Sequence, residues 1–307
     1  ADGAPFVIGA SLEAPPHDFD YVAQGPSPGP ELWAAFLPVG YTDNRRNNYD
    51  EWARQLAPFF KKVMAYYRQP SVFGRSFYLV SNDLTDVSQL DGVWKAIGPR
   101  NIDFYSIDER KRSGVRGERY VRAPLEKYRS IEAFLTYART LPWMGEGWQK
   151  SSTFLQHMNG TPHRVVWWNV HSTETFSLIS SEQARTEIKP GKGGVIALVT
   201  GCSVGAYRQP GSSAFLNTAT SVEDNFLVSL VYGPSAFVAA TGCPHNRVSD
   251  DLYAPLLEEV YHGGYLGLGH RKQLLEQDRH APRPEELRAA QEILIGDPFA
   301  DASGGDS

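Results

Sequence analysis

Apolar runs of strand length alternate with stretches of helical period along most of this chain. Uninterrupted runs at 76–81, 102–107, 165–170, 195–201 and 236–243 read as strands. They do not alternate apolar with polar, which is the pattern of strands covered on both faces. Shorter strand candidates lie at 6–9, 32–40 and 292–295. Residues 49–68 carry apolar side chains at Tyr49, Trp52, Leu56, Phe59, Phe60, Val63 and Tyr67, a helical spacing. Pro58 is expected to kink this helix or to start a second one. Further helices are expected at 90–97, 131–139, 152–158, 222–232, 252–261 and 265–277. The charged, glycine-containing stretch 108–122 reads as an exposed loop.

Strands alternating with helices predict an α/β fold, with a mainly parallel sheet covered by helices on both faces. The expected division is an N-terminal segment over 1–70, a main domain over 71–300 and a disordered tail over 301–307. In open parallel sheets, functional groups collect beyond the carboxyl ends of the strands. Four candidates follow predicted strands there: Asp83, His171, Cys202 and Cys243.

His171 closes the run that holds Trp167 and Trp168, and Cys202 closes the run ending Thr200-Gly201. A free thiol is mostly protonated at neutral pH, so a nucleophilic cysteine needs a base or cation beside it. Neighbouring strand ends would supply that pairing. Gly201 permits a tight turn off the strand, and backbone N–H groups in such a turn can hold an oxyanion.

Composition removes several other classes. The formal charge of -5, from 30 basic and 35 acidic residues, is not that of a general phosphate-backbone binder, so no nucleic acid is expected. No apolar run approaches the roughly 18 residues that span a bilayer, so no membrane is expected. The chain opens on Ala1 rather than Met, from which removal of an upstream segment is expected. The 2 cysteines are too few for a disulfide scaffold or a four-thiolate zinc site. None of the 8 histidines forms a paired-ligand helix motif, so no metal site is assigned. Gly201-Cys202-Ser203-Val204-Gly205 and Gly25-Pro26-Ser27-Pro28-Gly29 have Gly-x-Ser-x-Gly spacing, so that motif does not separate a serine from a cysteine nucleophile, whereas a phosphate loop is absent. A nucleotide binder fits the strand–helix alternation but lacks that loop.

Taken in order, these segments resemble the gingipain-type cysteine peptidases, relatives of the caspases. The histidine segment is His171-Ser172-Thr173-Glu174-Thr175, and Cys202 follows the next strand. Leu37-Pro38-Val39-Gly40, the 221–227 stretch and Gly296-Asp297-Pro298 match weaker family features, so the likeness runs from about residue 5 to about residue 300. The resemblance implies a caspase/gingipain-like three-layer sandwich. It also implies a peptidase with Cys202 as nucleophile, His171 as partner, and the backbone N–H groups of Ser172 and Cys202 as oxyanion donors. Glu174 is the nearest candidate for a third catalytic member. Asp83 and Asp86 stand where the family carries an acidic specificity residue. A protein or peptide substrate, a secreted or periplasmic location and an optional calcium site follow from the same likeness, and no cofactor is required by it. Departures are Val170 and Ser172 in place of glycines flanking the histidine, and Tyr41 in place of an arginine. An inactive binding or scaffold module on the same fold is the alternative. A second expectation rests on Thr200-Gly201-Cys202 and Thr241-Gly242-Cys243: two thiols at one sheet edge can form a reversible disulfide.

Overall fold

The computed structural model describes residues 6–8, 34–36, 49–69, 76–81, 91–97, 101–107, 118–124, 133, 136–137, 140, 150–202, 204, 225–242, 253–280 and 293–300. The first half of the chain supplies β1 (Phe6–Ile8), β2 (Ala34–Phe36), α1 (Tyr49–Arg68), β3 (Phe77–Ser81), α2 (Asp91–Ile97), β4 (Asn101–Ile107) and β5 (Glu118–Pro124). After α3 (Lys150–Gly160) and β6 (His163–Asn169) comes a small meander, β7 (Ser172–Thr173), β8 (Phe176–Ser177) and β9 (Ile179–Ser180). Then follow α4 (Ser181–Thr186), β10 (Gly194–Val199), α5 (Phe226–Tyr232), β11 (Ala239–Gly242), α6 (Ala254–Tyr261), α7 (Leu266–His280) and β12 (Ile293–Gly296).

The apolar runs become the centre of a 9-stranded sheet, ordered β1-β2-β12-β11-β10-β6-β3-β4-β5. From β11 to β4 every neighbouring pair is parallel. The antiparallel pairs are β11–β12 and β4–β5, towards the two margins. Side chains leave a strand on alternate faces, so each central strand feeds two cores. Phe77, Leu79, Val165, Trp167, Ile196 and Leu198 pack with α2, α6 and α7. Tyr78, Val80, Val166, Trp168, Ala197 and Val199 pack with α3, α4 and α5. All of β6 and β10 is buried, as continuous apolar runs require. The fold class read from the sequence, a mainly parallel sheet with helices on both faces, is the one observed.

Three local expectations are corrected. The stretch 108–122 expected to be a loop ends inside β5, which pairs with β4 through all seven of its residues. It is the outermost strand of the sheet among the described residues, a position that commonly carries charged residues. Residues 49–68 form a single helix that runs through Pro58, so of the two expectations there a second helix is the one set aside. Proline sits on its exposed side, where water can take up the carbonyl that loses its partner. Finally, β6 ends at Asn169 rather than at Val170. The helix expected at 131–139 and the tail beyond 300 fall mostly or wholly outside the described residues.

Candidate active site

Two buried indoles fix the strand that leads into the site. Trp167 points into one layer, against Phe77 at 6.2 Å and Tyr253 at 5.1 Å between ring centroids. Trp168 points into the other, against Phe154, Phe226 and Phe237 at 5.9, 6.0 and 5.5 Å. Anchored on both faces, β6 has little freedom to slide or roll.

Register then decides what meets beyond the strand ends. Trp168 lies opposite Val199 in the parallel β6–β10 ladder, and Thr200 N–H extends it to the Trp168 carbonyl at 3.0 Å. His171 and Cys202 each lie three residues past that pair, beyond the ends of β6 and β10. Neighbouring strands run about 4.8 Å apart. Thr200, fully buried, braces the turn from within: its hydroxyl accepts from Trp167 Nε1 at 3.3 Å and lies 3.2 Å from Asn169 Oδ1.

The strand ends remain in contact after the ladder stops. A β-carbon on Gly201 would stand 2.6 Å from the Val170 carbonyl oxygen and inside the Ser172 side chain. Only glycine allows this approach. Ser172 turns inward, its hydroxyl 2.7 Å from Ser177 Oγ and 3.1 Å from the Val170 carbonyl. Its side chain therefore fills the seam between the two strand ends and leaves the outer face open. Val170, Ser172, Gly201 and Val204 are buried, whereas His171 and Cys202 are both exposed. Among the described residues that directly follow β6 and β10, His171 and Cys202 are thus exposed to solvent.

The start of α5 clasps the two segments together. Asn225 caps the helix by accepting from Val228 N–H at 3.2 Å, and its Nδ2 donates to the Val204 carbonyl at 3.0 Å. Phe226 N–H donates to the Glu174 carbonyl at 2.8 Å. One helix end thereby ties down the loop after Cys202 and the hairpin after His171. The hairpin continues into α4 through a reciprocal cap, Ser180 Oγ taking Gln183 N–H at 3.1 Å and Gln183 Oε1 taking Ser180 N–H at 3.0 Å. Leu178 holds a left-handed φ of 65° between β8 and β9.

No family model matches the chain, and no curated protein does. Among solved structures, it is similar to the crystal structure of the Arg-specific cysteine proteinase gingipain R, with a TM-score of 0.52 at 10% sequence identity. The fold is gingipain-like. The likeness covers 92% of this chain, which spans 59% of the gingipain R chain. The Saccharomyces cerevisiae separase, solved with securin, matches with a TM-score of 0.46 at 10% identity, over 86% of this chain and 14% of that one. At such identities what is shared with gingipain R is the fold.

Within this gingipain-like frame, Glu174 lies in the β7–β8 turn, partly exposed, three residues beyond His171. Its carbonyl is the part with an assigned partner. Asp83, Asp86 and Cys243 lie outside the described residues. Among the described residues, no group of three or more His, Cys, Asp or Glu side chains could hold a metal ion. No described helix is long and apolar enough to cross a membrane. His157 and His163 meet at the other end of β6, Nε2 to Nε2 at 3.1 Å, with Ser76 Oγ 3.2 Å from His163 Nδ1 and the Tyr78 ring stacked on His163. That contact needs one ring to donate and the other to accept.

Sequence reasoning missed Asn225 and the β7–β9 meander. Asn225 had a signal, because asparagine immediately before an apolar helical run is a cap, and Ser180-x-x-Gln183 is a capping box that marks the start of α4 after the meander.

Proposed function

We propose that the chain is a cysteine endopeptidase in which Cys202 is the nucleophile and His171 its acid–base partner, acting on protein or peptide substrates. The observation that supports this reading is that His171 and Cys202 are both exposed and each follow one of two neighbouring parallel strands, three residues past the Trp168–Val199 pair.

In the first step the Cys202 thiolate attacks the scissile carbonyl carbon. A carbon–sulfur bond forms and the carbonyl π pair moves onto oxygen. Backbone N–H groups of Ser172 and Cys202 are the proposed donors to that oxyanion. The intermediate collapses to a thioester, the carbon–nitrogen bond breaks, and the His171 imidazolium gives its proton to the departing amine. Water then attacks the thioester and passes a proton to His171, releasing the carboxylic acid and regenerating the thiolate. Glu174, three residues from the histidine, is the proposed third member, orienting the ring or stabilising its charge. Asp83 and Asp86, which follow β3 in sequence, are proposed to favour a basic residue before the scissile bond. No cofactor takes part in this scheme.

A non-catalytic binding module on the same fold is the second reading. It draws on Ser172, whose side chain fills the seam where the resembled peptidases have glycine. Turnover separates the two. Quenched-fluorescence peptides spanning all residues before the scissile bond are offered to wild type, Cys202→Ala and His171→Ala. The peptidase reading predicts cleavage by wild type and loss in both variants. Cleavage that survives Cys202→Ala would overturn Cys202 as the nucleophile, and no cleavage by a folded wild type under reducing conditions would favour the binding module.

A further inference from the structure

Helix α1 carries an apolar stripe on its outer side, where a surface helix is ordinarily polar. Ala53, Ala57, Phe60, Met64 and Tyr67 are all exposed, at alternating four- and three-residue spacing. Phe60 is 49% exposed, Met64 53% and Tyr67 46%. This spacing aligns them in the kind of seam one helix offers to another. From Ala53 to Tyr67 the seam is about 21 Å long at 1.5 Å per residue.

The inner side of the helix is held to the body. Phe59 packs on Tyr232 with ring centroids 5.6 Å apart, and Lys62 Nζ donates to the Gly233 carbonyl at 2.9 Å. Tyr66 accepts from Arg164 at 3.0 Å, and the Tyr67 hydroxyl donates to Asp297 at 2.7 Å. Held in this way, α1 cannot roll its stripe into the core, and the seam is a preorganised surface.

Charge indicates what fits there. One position beyond Ala53, Phe60 and Tyr67 stand Arg54, Lys61 and Arg68, all exposed and one heptad apart. A second copy laid antiparallel would set this basic flank against its own image, which is repulsive. An anionic bilayer suits the charge but gains little from two alanines, which instead let another backbone approach closely. We propose that the outer face of α1 docks an amphipathic helix of another protein, one whose apolar stripe is flanked by Asp or Glu. This site is separate from the peptidase reading and does not depend on it.

The test is fluorescence anisotropy on the full chain. The probe is a synthetic helical peptide with leucines at the same four–three spacing and glutamates on both flanks. Saturable binding is expected, weakening as salt is raised. Both Phe60→Glu/Met64→Glu and Arg54→Glu/Lys61→Glu should weaken it at least about tenfold. A peptide with lysines in place of the glutamates should bind weakly or not at all. Circular dichroism checks that each variant folds, and the charge variant leaves the apolar stripe untouched. The proposal is overturned by no binding of the glutamate peptide, by equal binding of the lysine peptide, or by binding unchanged in both variants. Sedimentation with phosphatidylserine vesicles in place of peptide binding would assign the face to membranes. Self-association abolished by Phe60→Glu/Met64→Glu would assign it to a second copy. Either result also overturns the proposal.

Discussion

Gly201 and Ser172 are complementary in shape: the side chain that the glycine lacks is the volume the serine fills. This contact keeps the His171 and Cys202 segments together beyond the last rung of the ladder. Gly201→Ala should therefore overpack the seam, with the Val170 carbonyl 2.6 Å from the new methyl group. A loss of about 1–3 kcal/mol in urea unfolding is expected, with slower modification of Cys202. Adding Ser172→Gly should restore part of that loss, and only part, because the carbonyl clash remains. Strict additivity of the two substitutions in a double-mutant cycle would mean that they are not in contact.

Asn225 separates capping from clasping. Asn225→Asp keeps an acceptor for Val228 N–H but removes the donor to the Val204 carbonyl. Asn225→Ala removes both. The alanine variant should lose about 1–3 kcal/mol, from the lost cap and the buried carbonyl left without its partner. Asn225 is buried, so the aspartate variant sets a carboxylate against the Val204 carbonyl oxygen and should be no more stable than the alanine variant at neutral pH, with both showing slower thiol modification. An aspartate variant clearly more stable than the alanine variant would show that the bond to Val204 contributes little.

Lys62 gives stability a dependence on pH. Burial lowers its amine from 10.5 to about 7. Between those values the unfolded chain binds the extra proton and the folded chain does not, so stability rises with pH across that window. Below pH 7 both states are protonated and the slope from this group vanishes. Lys62→Met should flatten the rise between pH 7 and pH 10 in denaturant titrations compared with wild type. Parallel curves for the two proteins would refute the assignment.

Asp83 and Asp86 are proposed to set specificity. If Asp83 or Asp86 lines the substrate cleft, cleavage before an Arg or Lys side chain should dominate a peptide-library profile. Asp83→Ala or Asp86→Ala should then reduce kcat/KM for basic substrates by about tenfold or more while sparing neutral ones. A profile without basic preference, or one unchanged by both substitutions, removes the pair from the cleft.

What was legible in the sequence follows from burial. The β6 and β10 runs stood out because strands covered on both faces are apolar throughout, so no alternation is needed to find them. His171 and Cys202 could be seen to follow such runs, but that β6 and β10 are neighbours in the sheet is something no local pattern carries. The β7–β9 meander escaped because its strands are two residues long and largely Ser and Thr, too short for periodicity to register. In α1 the doublets Phe59-Phe60 and Tyr66-Tyr67 defeat a 3.6-residue reading. Phe60 and Tyr67 were counted with the core stripe, whereas the structure buries Phe59 and Tyr66 and turns the other two outward. Strand β5 was masked by its charges, which an edge position tolerates.

The central claim is that His171 activates Cys202, and intact-mass labelling tests it most directly. Wild type, Cys202→Ala and His171→Ala are each incubated with a panel of peptidyl ketones under reducing conditions. The account predicts a single adduct on wild type, absent in Cys202→Ala and lost or strongly slowed in His171→Ala. An adduct that persists in Cys202→Ala, or one formed equally fast with and without His171, would contradict it.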